Sequence, residues 1–201
     1  MKIFGIGFHK TGTTSLAVAL RQLGFSVTGP NNVNDPNIKE RYIAIARELS
    51  QHFDAFQDNL WPIVFRDLDE IWPDARFILT TRDPEIWIRS QIWHFGSRTT
   101  PMRELIYGTG FGCPLGNERH YIDVMEAHVA AVRTHFHDRP GKLLEIDLSA
   151  GHGWTEICTF LGVDTPNCSF PRANTAEERE AQTTAVGRLK RATRRLLMRL
   201  T

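Results

Sequence analysis

Short apolar runs alternate with helical patterns along most of the chain. The runs that favour strands cover residues 2–8, 25–29, 53–57, 76–82 and 142–149. Between them, apolar positions recur every three or four residues, which is typical of amphipathic helices. These helical patterns cover residues 14–24, 37–52, 60–72, 83–94, 119–137 and 154–162. The alternation predicts an α/β fold, in which a central parallel β-sheet is flanked by helices.

The alternation ends near residue 165. We therefore predict an α/β core over residues 1–165 and a tail over residues 166–201, within one domain of 201 residues. From Ala185 to Thr201 the tail has six Lys or Arg residues and no acidic residue. A basic helix of this kind can contact a membrane surface, but a solvated terminal helix is commoner, and that interpretation is favoured.

Composition indicates the class of protein and its cellular location, but not its activity. Charged residues make up 23% and hydrophobic residues 41% of the chain, and the formal net charge is +1. These values are typical of a globular protein and give no reason to expect a nucleic-acid partner. The three cysteines lack the paired spacing of zinc or redox sites, and no apolar run is long enough for a membrane span or a signal-peptide core. We expect a cytoplasmic protein without a metal site.

The first candidate for chemistry is the stretch "GIGFHKTGTTSL", residues 5–16, between the first strand and the first helix. It nearly matches the phosphate-binding motif G-x-x-x-x-G-K-[ST], but Thr13 stands where that motif has its lysine, and the nearby ammonium is Lys10. A turn at a helix N-terminus presents backbone N–H groups to an anion. The hydroxyls of Thr11, Thr13, Thr14 and Ser15 add donors, so the stretch predicts a phosphate or sulfate site.

A second stretch, "FILTTRDPEIWIRSQ", carries Arg82 at the carboxyl end of a strand and Ser90 eight residues later on a helix. Open α/β sheets bind ligands at this edge. The helix has a clear start, with Asp83 as N-cap and Pro84 at its first position.

Together the two stretches resemble the sulfotransferase superfamily. "FHKTGTTSL" is similar to its 5'-phosphosulfate-binding loop, P-K-[ST]-G-T-T, and Arg82 with Ser90 matches its R-x7-S element. The stretches "FDAFQDNLWPIVFRDLDEIWPDARFILTTRDPEIW", "LLEIDLSAGHGWTEICTFLGV" and "FPRAN" look like the compact single-domain members. The resemblance implies a P-loop-like three-layer fold.

The resemblance also implies an activity: transfer of a sulfuryl group from 3'-phosphoadenosine 5'-phosphosulfate (PAPS) to a hydroxyl or amine, leaving adenosine 3',5'-bisphosphate (PAP). Arg82 and Ser90 would bind the 3'-phosphate, and Lys10 would stabilise the leaving phosphate. The residues that would hold the 5'-phosphate are Thr11, Gly12, Thr13, Thr14 and Ser15. No metal is required, because such a transfer needs positioning and charge stabilisation.

A base must remove the proton of the acceptor. The best candidate is Asp58, just after the strand at residues 53–57, with an N-cap or turn residue as the alternative interpretation. His94 and Asp54 are fallbacks. Arg172 in "FPRAN" is either a further contact to the 3'-phosphate or a surface residue.

Two residue types are expected to have ordinary roles. The histidines His128, His135 and His137 fall on different helix faces, which favours contact with solvent over a metal. We expect packing roles in the core for the tryptophans Trp61, Trp72, Trp87 and Trp93, although one of them could contact the adenine or the acceptor.

Two rival hypotheses stay open. A P-loop kinase or nucleoside triphosphatase would use Asp147, at the end of the last strand, to bind magnesium. A catalytically inactive nucleotide-binding scaffold would lack a proton acceptor. No sequence motif identifies the acceptor, which can be a small molecule, a glycan or a lipid. No motif indicates the oligomeric state either.

Overall fold

In the computed structural model, which describes residues 1–173, five strands form one parallel sheet. They are β1 (Ile3–Gly5), β2 (Val27–Thr28), β3 (Ala55–Phe56), β4 (Arg76–Thr80) and β5 (Leu143–Ile146). Their order across the sheet is β2-β3-β1-β4-β5, and each neighbouring pair is parallel. The predicted α/β class is confirmed, and all five predicted strand segments contain a strand.

Seven α-helices flank this sheet in the described part of the chain. They are α1 (Thr13–Gln22), α2 (Ile38–His52), α3 (Phe65–Ile71), α4 (Pro84–Phe95), α5 (Pro101–Tyr107), α6 (Glu118–Phe136) and α7 (Trp154–Leu161). Two short 3-10 helices cover Trp61–Val64 and Leu148–Ala150. The helix predicted over residues 60–72 is therefore divided, with a 3-10 turn before α3.

The starts of two helices follow from side-chain caps. Asp83 accepts a hydrogen bond from the Ile86 N–H at 2.9 Å, and Pro84 occupies the first position of α4, as predicted. Helix α5 was not predicted, although it begins in the same way: Thr100 accepts from the Arg103 N–H at 3.2 Å, and Pro101 follows it. Its seven residues are too few for a helical period to stand out.

Alternating strand residues create the three layers. The side chains of Phe4, Phe56 and Phe77 pack on one face of the sheet, in a cluster that includes residues of α2, α3 and α6. Ile3 and Ile78 belong to a second cluster, which includes residues of α1 and α7. Because successive strand residues point to opposite faces, this division confirms the predicted three-layer arrangement.

Residues Met1–Pro171 form one compact unit, and Arg172–Thr201 forms a second, of which only residues 172 and 173 are described. The basic helix predicted within residues 185–201 lies outside the described residues, and a single domain over the whole chain stays a prediction. Among residues 1–173, no helix is both long and apolar enough to cross a membrane.

The parallel sheet also determines where polar residues meet. Residues 6–12 follow β1, Asp58 follows β3, and Arg82 follows β4. These are three adjacent strands in the order β3-β1-β4. Their carboxyl ends lie at one edge of the sheet, so the candidate residues from three distant segments come together there.

Candidate active site

The loop at residues 6–12 makes a tight turn into α1. Lys10 (φ 70°) and Gly12 (φ 108°) adopt the left-handed conformation, which costs little for glycine but strains lysine. Gly12 is the N-cap of α1 and contributes no side-chain hydrogen bond to its first turn. The positive end of a ten-residue helix therefore lies at the loop, in the geometry that binds anions.

Gly7 allows the loop to approach β4. A Cβ atom on Gly7 would lie 2.0 Å from the Thr80 hydroxyl oxygen and 2.3 Å from its carbonyl oxygen. The Thr11 hydroxyl donates to the Phe8 carbonyl oxygen and lies 2.6 Å from the hydroxyl oxygen of Thr80. The buried side chain of Thr11 thus stabilises the loop itself, and its predicted contact with a phosphate stays a prediction.

Asp58 lies against the first turn of α1. Its Oδ2 accepts a hydrogen bond from the Thr13 hydroxyl at 2.6 Å, and its Oδ1 accepts from the Asn59 N–H at 2.7 Å. The N-cap interpretation is wrong, because the N-cap of the following 3-10 helix is Leu60. Asp58 is a half-buried turn residue whose carboxylate is held beside the predicted anion site.

Backbone strain is concentrated here. Among the described residues other than glycine, the positive φ values belong to Lys10, Asn32, Asp58 (67°) and Leu60 (89°). Asparagine and aspartate tolerate this conformation, whereas lysine and leucine rarely adopt it. The two strained positions, Lys10 and Leu60, therefore both flank the candidate site, as is common where function requires an unfavourable backbone.

The segment after β4 holds the loop from the other side. An Nη atom of Arg82 donates to the Lys10 carbonyl oxygen at 3.1 Å. On α4, Trp87 Nε1 and Gln91 Nε2 donate to the His9 carbonyl oxygen at 2.9 and 2.8 Å. Ser90 lies on the same inward face of α4 and is buried. The structure therefore brings the two predicted stretches into direct contact.

Comparison with known proteins assigns the family. The sulfotransferase domain model matches residues 2–107 and 91–179 of the chain. The chain belongs to the sulfotransferase domain family. A curated relative, the Ava biosynthesis cluster protein M from Aspergillus versicolor, is 24% identical over 220 residues, which cover 88% of this chain and 82% of the relative. Membership of the family supports a sulfotransfer activity in general.

The two fallback bases occupy different places in this sulfotransferase domain. His94 lies on the last turn of α4 and is largely exposed; partial burial of its ring, with the charges of Lys10 and Arg98, lowers its pKa below the usual range. The interaction with Lys10 places His94 near the loop. Asp54 precedes β3 and accepts hydrogen bonds from Ser26, at the opposite edge of the sheet. Asp54 therefore lies away from the loop, and the prediction that it could act as the base is wrong.

The histidine predictions need correction. His128 is not a solvent-facing residue: its Nε2 atom lies 2.7 Å from the Ile6 carbonyl oxygen, and its ring stacks on Phe8 at 4.5 Å. His135 lies 2.9 Å from a carboxylate oxygen of Asp69. His128 and His135 are seven positions apart and share one face of α6, where both rings contact Phe65, so the prediction of different faces is wrong for this pair. His137 is exposed, as predicted. Within residues 1–173, no group of three or more His, Cys, Asp or Glu side chains is arranged to hold a metal ion.

The tryptophan prediction is correct except at one position. Trp61 and Trp87 are fully buried, and Trp72 is half-buried. Trp93 is 56% exposed on α4 and is not a core residue. Arg172 is exposed, and its predicted contact with a 3'-phosphate stays a prediction.

Sequence reasoning missed the residues that hold the loop from behind. His9, Asn59 and Tyr107 form one buried hydrogen-bonded group, and Trp87 and Gln91 bind the His9 carbonyl. Asn59 and Tyr107 lie 50 and 98 residues from His9 in the chain, so no local motif connects them. Of these residues, only Gln91 can be found from the sequence. It lies next to Ser90 on the inward face of a helix, where a polar side chain needs a hydrogen-bond partner.

Proposed function

We propose that this protein transfers a sulfuryl group from PAPS to a hydroxyl or amine of a small-molecule, glycan or lipid acceptor, with PAP as the second product. The observation that carries the proposal is the contact between Arg82 and the Lys10 carbonyl. It joins the predicted site for the 5'-phosphosulfate to the predicted site for the 3'-phosphate in a chain of the sulfotransferase domain family. Only a donor with phosphates at both positions needs the two sites together.

The residues present fit such a donor. The N-terminus of α1 offers backbone N–H groups, and the hydroxyls of Thr13, Thr14 and Ser15 belong to its first turn. These groups suit the 5'-phosphate. Arg82, with its planar guanidinium, and Ser90 would bind the 3'-phosphate, because charge-assisted hydrogen bonds are the strong ones.

In the proposed reaction, the bond between sulfur and the bridging oxygen of the donor breaks while the acceptor oxygen or nitrogen bonds to sulfur. The Lys10 ammonium stabilises the charge that develops on the bridging oxygen. Asp58 accepts the proton of the acceptor. The Asn59 N–H orients its carboxylate at the edge of the loop. The chain thus supplies positioning and two charged groups, without a covalent intermediate.

The kinase hypothesis gains little support from Asp147. Its carboxylate accepts hydrogen bonds from the Ser149 N–H at 2.8 Å and the Ser149 hydroxyl at 2.5 Å. Its neighbour Leu148 lies beside Gly12 of the loop, but Asp147 itself is the N-cap of the 3-10 helix Leu148–Ala150. The capping role accounts for its carboxylate without a metal. The scaffold hypothesis is disfavoured because Asp58 provides a proton acceptor next to the loop.

Ligand-dependent unfolding tests the proposal. A ligand at about 100 times its Kd adds roughly 2.7 kcal/mol to the free energy of unfolding. We expect PAP to raise the unfolding temperature and ATP with magnesium to raise it much less, and we expect sulfated product from labelled PAPS with a panel of phenols, alcohols and amines. Stabilisation by ATP with magnesium alone would refute the proposal. Binding of PAP without any product would favour the scaffold.

A further inference from the structure

The side chain of His9 is enclosed beside Lys10. His9 is 2% exposed; its Nδ1 lies 2.6 Å from Asn59 Oδ1, and its Nε2 lies 3.2 Å from the Tyr107 hydroxyl oxygen. An amide oxygen only accepts, so Nδ1 carries the proton and donates to Asn59. In the neutral ring, Nε2 then has no proton and accepts from the Tyr107 hydroxyl. The partners of the ring define a single neutral tautomer.

The environment favours that neutral form. Burial is the largest effect and lowers the pKa of His9 below its usual range. The positive charges of Arg103 and Lys10 lower it further, while the negative charge of Asp58 and the hydrogen bond to Asn59 act in the other direction. A neutral ring keeps Nε2 as an acceptor, so both hydrogen bonds persist at physiological pH.

The backbone carbonyl and the side chain of His9 contact different parts of the site. Its carbonyl oxygen is held by Trp87 and Gln91 of α4, and Lys10 is the next residue. Its ring holds Asn59, whose N–H binds the carboxylate of Asp58. Asn59 lies between Asp58 and Leu60, which both have positive φ, and this conformation strains leucine. A strained turn persists only where surrounding contacts fix it, and the bond from His9 is one of these contacts.

We propose that His9 is a positioning residue that couples the loop of Lys10 to the turn of Asp58, through a neutral Nδ1–H tautomer fixed by Asn59 and Tyr107. It transfers no proton. This inference rests on the proposed function, in which Lys10 and Asp58 act on opposite sides of the transferred group. The side chain of His9 holds these two residues in their relative positions. Its loss should therefore lower kcat more than it lowers the affinity for the donor.

Variants that mimic one ring nitrogen at a time test this role. The amide nitrogen of His9→Asn can replace Nδ1 and still donate to Asn59, whereas the amide of His9→Gln reaches the position of Nε2. Tyr107→Phe removes only the second hydrogen bond. Tyr121→Phe is a matched control, because Tyr121 is fully buried, stacks on Tyr107 with ring centroids 3.6 Å apart, and has no hydrogen-bond partner for its hydroxyl within the described residues.

Kinetics with labelled PAPS and calorimetry with PAP separate positioning from folding. We expect His9→Gln to lower kcat roughly 100-fold while the Kd for PAP changes little, because small displacements of reacting groups have effects of this size. His9→Asn should recover most of the lost kcat, and Tyr121→Phe should behave as the unmodified protein. Tyr107→Phe, which keeps the bond to Asn59, should lose little kcat, as His9→Asn does. Equal kcat values for His9→Asn and His9→Gln, or a loss for Tyr121→Phe as large as that for His9→Gln, would overturn the inference.

Two measurements distinguish a failure of this inference from a failure of the proposed function. Nitrogen-15 NMR should show the Nδ1–H tautomer at His9, and a different tautomer would overturn the inference. Amide hydrogen exchange should accelerate at residues 10–13 and 58–60 in His9→Gln, but not in His9→Asn, with β4 unchanged. If the unmodified protein makes no sulfated product while these differences hold, the proposed function fails and the coupling by His9 stands. Uniform exchange changes across the protein would refute the coupling.

Discussion

The Thr13 hydroxyl donates to the carboxylate of Asp58 across 2.6 Å, although the two residues are 45 positions apart in the chain. This bond connects the first turn of α1 to the turn that follows β3. A hydroxyl has one proton, so Thr13 cannot donate to Asp58 and to a bound phosphate at the same time. If the proposed donor binds here, Thr13 must redirect its proton, and the carboxylate of Asp58 then loses one donor as the site fills.

Asp58→Asn tests the proposed base. The amide keeps the size of the side chain and accepts from one donor, but it does not take up a proton. We expect kcat to fall by roughly 100-fold to 10,000-fold, which is the usual contribution of a general base. The Kd for PAP should change little. Steady-state kinetics with labelled PAPS and calorimetry with PAP provide the two measurements.

Asp54→Asn is the matched control, because Asp54 and Asp58 flank β3 at opposite ends. Hydrogen bonds from Ser26 lower the pKa of Asp54, so this variant should affect stability slightly and leave kcat unchanged. Equal kcat values for Asp54→Asn and Asp58→Asn would exclude Asp58 as the base.

Lys10→Ala tests the stabilisation of the leaving phosphate. Removing one charged group that acts on a developing oxyanion costs roughly 100-fold to 1,000-fold in kcat. We expect a loss of this size with donor binding largely intact. Lys10 has φ 70°, so alanine adds backbone strain, and Lys10→Asn is the better comparison because asparagine tolerates this conformation without a charge. Similar losses in both variants would assign the effect to charge, whereas an unmodified rate in either would remove Lys10 from the mechanism.

Ser90→Ala tests the site for the 3'-phosphate. A hydrogen bond to a charged group contributes about 1.5–3 kcal/mol, so we expect the affinity for PAP to fall at least about tenfold. Adenosine 5'-monophosphate lacks the 3'-phosphate, and its weaker binding should be unaffected. Calorimetry with both nucleotides gives the comparison within one variant. Equal losses for both nucleotides would place Ser90 away from the 3'-phosphate.

The sequence predicts those parts of the fold that depend on local patterns. The alternation of Phe4 and Ile3, or of Phe77 and Ile78, assigns residues to the two faces of the sheet without any tertiary information. The start of α4 at Pro84 follows from the cap at Asp83. The meeting of distant segments at one edge also follows, because the strands are parallel.

The sequence does not reveal contacts that depend on long-range packing. His9 looks like part of a polar turn, yet the approach of Asn59 and Tyr107 buries it. His128 lies on a helix with an ordinary amphipathic pattern, but its ring reaches the Ile6 carbonyl beneath the loop. Trp93 shows the reverse, because a large aromatic residue predicted to pack in the core is exposed. The sequence pattern alone cannot assign the burial of these side chains, because burial depends on the positions of the neighbouring helices and strands.

His128 should make the protein sensitive to mild acid. Burial lowers its pKa to about 4, whereas the unfolded chain titrates near the ordinary value of 6.5. The unfolded state therefore binds more protons as the pH falls below about 6.5, and stability falls with it until about pH 4. Each pKa unit corresponds to about 1.4 kcal/mol, so His128 alone accounts for about 2 kcal/mol between pH 7 and pH 5.

Urea unfolding at pH 7 and pH 5 measures the contribution of His128 to the pH dependence of stability. His128→Leu should be destabilised at pH 7, where it loses the bond to Ile6, yet it should lose less stability between the two pH values than the unmodified protein does. Burial also lowers the pKa of His9, so part of the acid sensitivity should persist in the variant. The matched control is His137→Leu, because His137 is exposed. An identical pH dependence in His128→Leu and the unmodified protein would contradict the prediction.

Asp69 on α3 should control a second, more acidic transition. Its side chain is 5% exposed, and its carboxylate binds Arg139 through two hydrogen bonds and lies 2.9 Å from His135. Burial raises the pKa of Asp69, but the hydrogen bonds from Arg139 and His135 outweigh it and hold the pKa below its usual value of 3.8. The contribution is therefore present above about pH 3.8 and is lost as the pH falls through the lower pKa of the folded state.

Asp69→Asn isolates this contribution. We expect a loss of about 2 kcal/mol at pH 7, less than for a fully buried pair because the Arg139 side chain is 37% exposed. The difference from the unmodified protein should shrink below pH 3.8, where Asp69 is increasingly protonated in both the folded and unfolded states. Glu70→Gln, a neighbouring exposed acid on the same helix, serves as the control and should change stability little at either pH. A difference for Asp69→Asn that stays constant from pH 7 to pH 3 would mean that packing, rather than charge, makes Asp69 important.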